Sequence, residues 1–132
     1  MSLSDPIANM LTSIRNATMA KKEVVEVTHS ILKSHLARIL KREGFITDYV
    51  SEAHDDKKVI RLFLKYNFEQ EPVIQGLKRI SKSGLRHYVS ADKVPYVLRG
   101  MGVAILTTSY GILTDHDARK KGIGGEVLCH VW

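Results

Sequence analysis

The stretch GVAILTTSYGILTDHDARK, residues 102–120, contains a strand, a turn and a helix in close succession. Residues 102–108 are predicted to form a buried strand, and Ser109, Tyr110 and Gly111 a turn. Thr114 and Asp117 have the spacing of a capping box, which predicts a short helix that runs to about Lys121 and ends before Gly122. A last apolar strand is predicted over residues 126–132. This part of the chain is therefore expected to be mostly strands.

The N-terminal part alternates helices and strands. Ile7, Met10, Leu11 and Ile14 fall on one helical face, and Asp5 followed by Pro6 is typical of a helix start. This helix is predicted to end at Arg15 and Asn16. A strand over 23–27, a helix over 30–43 and two strands over 45–51 and 58–66 follow, the last two joined by a polar turn at 54–57. The predicted order is α-β-α-β-β.

Residues 67–72 interrupt the periodicity and end in proline, which predicts a linker. After it, strands are predicted over 73–80 and 85–89, and a short helix over 91–98. The elements lack a regular βαβ rhythm, so the predicted class is α+β rather than a doubly wound sheet. We expect two domains: residues 1–68, with the α-β-α-β-β order, and residues 69–132, mostly antiparallel strands with short helices.

The amino-acid composition favours some classes of protein and disfavours others. The chain has 132 residues, with twenty Lys and Arg against fourteen Asp and Glu, so the net charge is +6. Domains this basic are often nucleic-acid binders. A single cysteine excludes an internal disulfide and a cysteine-rich metal site. No apolar run approaches the ~20 residues of a membrane span, and no signal-peptide pattern is present. Secreted and membrane proteins are disfavoured, and a reduced compartment such as the cytosol is predicted.

Positive charge is concentrated in one stretch. Residues 78–99 carry six basic side chains against the single acid Asp92, a local net charge of +5. A nucleic-acid backbone favours such a concentration because each neutralised phosphate releases counterions. A solvated surface is the alternative interpretation. The six basic residues are Lys78, Arg79, Lys82, Arg86, Lys93 and Arg99.

Catalytic and cofactor motifs fit this sequence poorly. Ser109, His116 and Asp117 supply the side chains of a hydrolytic triad, but adjacent helical residues point about 100° apart. The glycines near Gly100 and Gly122 lack the surroundings of a dinucleotide or phosphate loop. The histidines lack metal-ligand spacing. We therefore predict no catalytic residues, no cofactor and no metal, with a small hydrolase using Ser109 or Cys129 kept as an alternative.

The remaining hypothesis is an RNA- or DNA-binding surface. Thr107, Thr108 and Ser109 place three hydroxyl groups at a strand end, where they can both donate to and accept from nucleotides. Tyr110 follows them, and Tyr88 and Tyr96 lie in the basic stretch, where aromatic rings can stack on unpaired bases. Arg119 and Lys120 place charge at the end of the last helix. A basic adaptor that binds an acidic protein surface is a third hypothesis.

Several blocks of this sequence resemble one family in the right order. They are residues 102–120, the ending GIGGEVLCHVW (122–132), the opening DPIANMLTSIRNA (5–17), REGFI (42–46) and KRISKSGLR (78–86). Together they resemble bacterial-type small-subunit ribosomal protein eight, the universal S8 family, over essentially the whole chain.

The resemblance implies two small α+β domains packed together and no enzymatic activity. It implies direct binding to the central domain of 16S rRNA and a role in assembling the platform of the small subunit. It also implies small-subunit ribosomal proteins five and twelve as neighbours, the chain's own messenger RNA as a further target, and no membrane. The expected location is the cytoplasmic ribosome, with an organellar ribosome left open.

Carried over by position, the family's RNA contacts fall on two regions. The main RNA-reading loop corresponds to Thr107, Thr108, Ser109, Tyr110 and Gly111, where Tyr110 stands in place of a usual basic residue. Around it the expected RNA-binding residues are Tyr88, Arg86, Lys82, Lys93, Arg99, Arg119, Lys120 and Glu126. The N-terminal contacts correspond to Asp5, Pro6, Arg15 and Asn16. Glu126 would have to accept from a base amino group or a hydroxyl, because phosphate repels it.

Overall fold

The protein is described here by a computed structural model that covers residues 5–132. Its contacts divide the chain into two compact units, the first ending at Ile74 and the second spanning Gln75–Trp132. The sequence places a domain boundary after residue 68, six residues earlier. The intervening segment folds back on the first unit, since Tyr66 bridges Pro72 and the Val73 N–H donates to the Lys65 carbonyl (2.9 Å).

The first unit has the predicted α-β-α-β-β order. Its elements are α1 (Pro6–Met19), β1 (Val24–Thr28), α2 (Ile31–Arg42), β2 (Ile46–His54) and β3 (Lys57–Leu64). The three strands form an antiparallel sheet in the order β1-β3-β2. Helix α1 packs on β1 and α2 on β2, and buried side chains such as Met10, Ile39 and Leu62 fill the space between helices and sheet.

Local sequence signals set the ends of these elements. The Asp5 carboxylate accepts from the Ala8 N–H (3.0 Å) and caps α1, as predicted. The predicted end at Arg15 and Asn16 is wrong, because Ala17 extends the buried face and the helix continues to Met19. At the β2–β3 turn, Asp55 and Asp56 both have positive φ, as a two-residue type I′ hairpin requires.

The second unit is built on one antiparallel sheet. Its elements are β4 (Leu77–Arg79), β5 (Tyr88–Val89), β6 (Val103–Thr108), β7 (Gly111–Thr114), α3 (Asp115–Lys121) and β8 (Gly125–Val131). The strand order is β4-β8-β6-β7, and β5 also pairs with β8. The α+β class and the strand-rich C-terminal region are therefore confirmed. In the part of the chain that the structure describes, no helix is long and apolar enough to cross a membrane.

One prediction for this unit is wrong and one strand was missed. The helix over 91–98 is replaced by two short 3₁₀ turns, Ala91–Lys93 and Leu98–Gly100, because Pro95 interrupts a segment whose Val94 and Val97 are buried in the core. Strand β7, which pairs with β6 across the two-residue Ser109–Tyr110 turn, was not predicted, since it has only four residues. The capping box is confirmed: the Thr114 hydroxyl accepts from the Asp117 N–H (3.2 Å).

A buried carboxylate joins three parts of the second unit. Asp115 is only 2% exposed, and its Oδ1 accepts from the Ala104 N–H of β6 (3.1 Å). Its Oδ2 accepts from Arg119 Nη2 on the same helix (2.7 Å). Arg119 Nη1 in turn donates to the Pro95 carbonyl (3.1 Å). The carboxylate therefore connects β6, α3 and the segment around Pro95.

His130 is a half-buried titratable group of the central strand β8. It pairs with Lys78 on β4 and Ala104 on β6, and its Nε2 has no hydrogen-bond partner among residues 5–132. Burial lowers the pKa of His130 below the ordinary 6.5 and the Lys78 charge lowers it further, while Asp115 opposes both effects. The folded unit therefore favours the neutral imidazole.

Removing the Asp115 carboxylate should destabilise the second unit. Asp115→Ala leaves the Ala104 N–H and the Arg119 guanidinium without this partner, so we expect a loss of about 3 kcal/mol in the free energy of unfolding. Denaturant unfolding followed by circular dichroism measures it. Asp115→Asn, which can still accept from Ala104, should lose less. A loss below about 1 kcal/mol for the alanine variant would contradict the role assigned to the carboxylate.

Acid should weaken the fold partly through His130. The unfolded chain binds the proton first as pH falls below about 6.5, so the free energy of unfolding decreases until pH passes the lower folded-state pKa. His130→Val should show a shallower decrease between pH 7.5 and 5. The control is His116→Ala, at an exposed position on α3. An identical pH dependence of the free energy of unfolding in the wild type and in His130→Val would refute the contribution assigned to His130.

Candidate nucleic-acid interface

Residues far apart in sequence form one row across the sheet of the second unit. Tyr88 of β5 pairs with Glu126 of β8, Glu126 pairs with Thr107 of β6, and Thr107 pairs with Ile112 of β7. Directly opposed residues in antiparallel strands share a face, so these four side chains lie on the same side of the sheet. We call Tyr88, Glu126 and Thr107 the recognition row.

The recognition row lies on the face of the sheet opposite the core cluster that contains Leu106 and Val127. The neighbouring pair Leu106 and Val127 is buried in the core cluster with Ala118, and side chains alternate along each strand. An irregularity in β8 sets this register: Ile105 pairs with Cys129 but Leu106 pairs with Val127, which leaves Leu128 as an extra residue. Without that bulge, Glu126 would not lie opposite Thr107.

Glu126 is held in place by a cation. Its side chain is nearly buried, with 9% exposure of the residue, and Arg86 Nη1 donates to its Oε2 at 3.0 Å. The guanidinium offsets the charge of the carboxylate. Tyr88 beside it is 71% exposed, so its ring is available for stacking. Gly125 allows the close approach of β8 to β6, because a Cβ there would clash with the Thr107 carbonyl oxygen.

The predicted loop at the end of β6 is a tight turn built by one hydroxyl. Thr108 Oγ1 donates to the Gly111 carbonyl (2.8 Å) and accepts from the Tyr110 N–H (3.0 Å). Gly111 has a φ of +96°, which favours glycine. The hydroxyl hydrogen of Thr108 is therefore engaged in a hydrogen bond within the turn. Ser109 is exposed at the tip, and its hydroxyl makes no hydrogen bond to any other described residue.

A lysine lies beside the tyrosine of this turn. Lys121 Nζ, at the end of α3, is 5.3 Å from the centre of the Tyr110 ring, a cation–π distance. The Tyr110 side chain is 67% exposed. Tyr110 stands where the family usually has a basic residue. The Lys121 amine therefore supplies a positive charge next to this position.

Arg119, expected to contact RNA, is engaged within the protein. Its guanidinium donates to Asp115 and to the Pro95 carbonyl, and it stacks on the Tyr96 ring with 3.7 Å between Cζ and the ring centre. The side chain is 23% exposed. Its neighbour Lys120 is exposed on α3. The geometry therefore gives Arg119 a positioning role and leaves Lys120 as the outward-facing cation.

The other cations of the basic stretch lie on irregular segments. Lys82 and Leu85 close a small loop through reciprocal backbone hydrogen bonds of 2.9 Å, and the buried Ser81 Oγ accepts from the His87 N–H (2.8 Å). Lys93 and Arg99 lie on the two 3₁₀ turns and are exposed. Among the described residues, neither side chain has a hydrogen bond or ion pair.

The N-terminal candidates all belong to α1 of the first unit. Asp5 is the N-cap and Pro6 the first helical residue, so both have structural roles. Arg15 is exposed on the helix. Asn16 lines a shallow groove with Ser13 and Lys22.

The hydrolase alternative has no support from Cys129. Burial raises the pKa of the Cys129 thiol to about 12, and the residue has no exposed surface. A thiol in this state is neither ionised at neutral pH nor reachable by a substrate. Among residues 5–132 there is also no group of three or more His, Cys, Asp or Glu side chains that could hold a metal ion.

Sequence reasoning missed two features of the site. The Asp115–Arg119 pair has i,i+4 spacing on a helix, a signal that could have identified it as structural. The approach of Lys121 to Tyr110 had no sequence signal, because it depends on how α3 packs beside the β6–β7 hairpin.

Comparison with known proteins gives one consistent result. The family model for ribosomal protein S8 matches residues 5–132. The chain is 58% identical over 132 residues to small ribosomal subunit protein uS8 of Geobacillus kaustophilus, 59% over 133 residues to that of Enterococcus faecalis and 55% over 132 residues to that of Geobacter sulfurreducens. Each alignment covers all of both chains. The chain therefore belongs to the ribosomal protein S8 family of the small ribosomal subunit.

Proposed function

We propose that this protein binds directly to the central domain of 16S rRNA and helps to assemble the platform of the small ribosomal subunit in the cytoplasm. The observation that carries the proposal is the recognition row, which brings Tyr88, Glu126 and Thr107 together on the face of the sheet opposite the core cluster of Leu106 and Val127. Family membership supports the ribosomal setting.

The side chains of the recognition row can make base-specific contacts with RNA in addition to attracting its phosphates. The exposed Tyr88 ring can stack on an unpaired base. Glu126 can accept from a base amino group or a ribose 2′-hydroxyl, and the Arg86 contact lowers the cost of bringing its charge near phosphates. Thr107 and Ser109 contribute hydroxyl groups that both donate and accept. Thr108 acts indirectly, by holding the turn that presents Ser109.

Surrounding cations anchor the RNA backbone. Lys82, Lys93, Arg99 and Lys120 are exposed and can neutralise phosphates without reading sequence. Lys121 supplies the cation beside Tyr110, and the ring holds the amine near the turn. Anchoring and recognition are therefore carried by different residues of the same unit.

Further contacts complete the proposal. Asp5, Pro6, Arg15 and Asn16 at α1 form a second RNA contact, in which the exposed side chains of Arg15 and Asn16 bind the RNA and the Asp5 carboxylate caps the helix. Small-subunit ribosomal proteins five and twelve are the proposed neighbours. Binding of the chain's own messenger RNA, and thus repression of its own synthesis, is proposed on the resemblance to the family.

Substitutions on the recognition row should weaken binding to the cognate RNA selectively. We expect Tyr88→Ala to lower affinity for a helical fragment of the 16S central domain about tenfold, because a base loses its stacking partner. Ser109→Ala should lower it about fivefold through loss of one hydrogen bond. Fluorescence titrations against the native fragment and a scrambled duplex of equal length measure both.

The control for these titrations is His116→Ala, an exposed position outside the proposed interface. Binding to the scrambled duplex should be unchanged in every variant. If Tyr88→Ala binds the native fragment as tightly as the wild type does, the recognition row is assigned wrongly.

Lys121 should act as a phosphate anchor. Lys121→Ala should weaken binding to the native and the scrambled RNA alike, and should lower the slope of log K against log salt by about one. Tyr110→Phe keeps the ring and should leave the slope unchanged. Lys57→Ala, on the β2–β3 turn of the first unit, is the matched control. A sequence-selective loss from Lys121→Ala, or an unchanged slope, would contradict this role.

A further inference from the structure

The main chain at Glu126 is fixed by contacts along β8. The Leu128 carbonyl, at the bulge of this strand, accepts from the Ile80 N–H (3.0 Å) and from Arg79 Nη1 (2.6 Å). Two residues earlier in the chain, Glu126 itself pairs with Thr107 on β6. The direction of the Glu126 carboxylate therefore depends on rotation about its own side-chain bonds.

The Glu126 carboxylate is held through one of its two oxygens. Arg86 Nη1 donates to Oε2 at 3.0 Å, and Oε1 has no hydrogen-bond partner among residues 5–132. Oε1 is also not enclosed, since in the same range the buried side-chain atom without a partner is His130 Nε2. A charged hydrogen bond of this kind orients the carboxylate and leaves one oxygen to accept from a ligand.

The backbone next to Arg86 is fixed as well. The N–H of the following residue, His87, donates to the buried Ser81 Oγ (2.8 Å), and the His87 carbonyl accepts from the Val127 N–H (2.9 Å). Arg86 thus follows a segment that is joined to β8 directly beside Glu126. The Arg86 side chain is 53% exposed, so its replacement opens no cavity in the core.

The ion pair determines how Arg86 can contribute to RNA binding. A guanidinium bound to a carboxylate forms a neutral pair, which adds little to the net attraction for phosphates. A Glu126 carboxylate without this cation would repel the phosphates on either side of a base that it contacts. Lys82, in contrast, is exposed, and its charge is available to the RNA backbone. Two cations of the same basic stretch are therefore expected to act differently.

We propose that Arg86 is a positioning residue that makes RNA recognition by Glu126 selective. It holds the carboxylate so that Oε1 accepts from a base amino group or a ribose 2′-hydroxyl, and it offsets the carboxylate charge. The family resemblance places Arg86 among the residues that contact RNA, whereas here it acts through Glu126. This inference rests on the proposed function and deepens it, because it separates orientation of the reading group from anchoring of phosphates.

A double-mutant cycle tests whether Arg86 acts through Glu126. Arg86→Ala and Glu126→Gln should each lower affinity for the native central-domain fragment about tenfold, and each should change affinity for the scrambled duplex less than twofold. The double variant should bind the native fragment no more weakly than either single variant, because the carboxylate that Arg86 orients is already gone. A purely structural role of Arg86 would persist in the Glu126→Gln background.

Lys82→Ala is the matched control, since it removes one positive charge from the same stretch. It should weaken binding to both RNAs alike and lower the slope of log K against log salt by about one. Arg86→Ala should leave this slope nearly unchanged. The two variants therefore distinguish loss of a phosphate anchor from loss of a positioning contact.

A charge-preserving variant and a stability measurement guard against misfolding. Arg86→Lys keeps a cation that can pair with Oε2, so it should recover most of the affinity for the native fragment that Arg86→Ala loses. Thermal unfolding of each variant checks that the second unit is folded. If Arg86→Ala proves unstable, Arg86→Gln takes its place in the cycle with the same expected losses.

The outcomes separate this inference from the proposed function. A wild type that binds both RNAs equally would refute the proposed function and this inference with it. If the wild type discriminates between the RNAs but the losses in the cycle are additive, only the positioning role is overturned. Equal losses of Arg86→Ala on both RNAs with a lower salt slope, or no loss on either, would overturn it as well.

Discussion

The arrangement of the second unit depends on one buried carboxylate. Asp115 accepts from the backbone of β6 and from Arg119, and Arg119 reaches the Pro95 carbonyl and the Tyr96 ring. A charge this deeply buried is costly unless it is neutralised and hydrogen-bonded, and here both requirements are met by residues from different segments. The orientation of α3 against β6 follows from these contacts, and Lys121 is carried to its place beside Tyr110 by the same helix.

Three polar side chains of the candidate interface are engaged in contacts within the protein. The Thr108 hydroxyl donates to the Gly111 carbonyl within the turn, and Arg86 donates to the Glu126 carboxylate. The Arg119 guanidinium donates to the Pro95 carbonyl. The groups left facing outward are an aromatic ring, a hydroxyl and several lysines. The residues that the family resemblance assigns to RNA as one set therefore differ in their contacts within the protein: some are hydrogen-bonded to other parts of the unit, and others are exposed.

Local signals in the sequence were sufficient for much of the fold. The Asp5 cap, the Thr114–Asp117 capping box and the Asp55–Asp56 turn involve residues within a few positions of each other, so periodicity and turn chemistry predict them correctly. The bulge at Leu128, which sets Glu126 opposite Thr107, depends on pairing between distant strands and has no local signature. Strand β7, in contrast, pairs with β6 across the two-residue Ser109–Tyr110 turn and was missed because it has only four residues. The helix predicted over 91–98 failed because burial of Val94 and Val97 outweighed local helix propensity.

We propose that RNA is recognised by the recognition row on the sheet of the second unit. The most direct test is to titrate the isotopically labelled wild-type protein with the native central-domain fragment and follow its backbone amide signals. We expect the largest shifts at Tyr88, Thr107, Ser109 and Glu126, and we expect a scrambled duplex of equal length to leave these signals nearly unchanged at physiological salt. Shifts confined to other surfaces, or equal shifts with both RNAs, would contradict it.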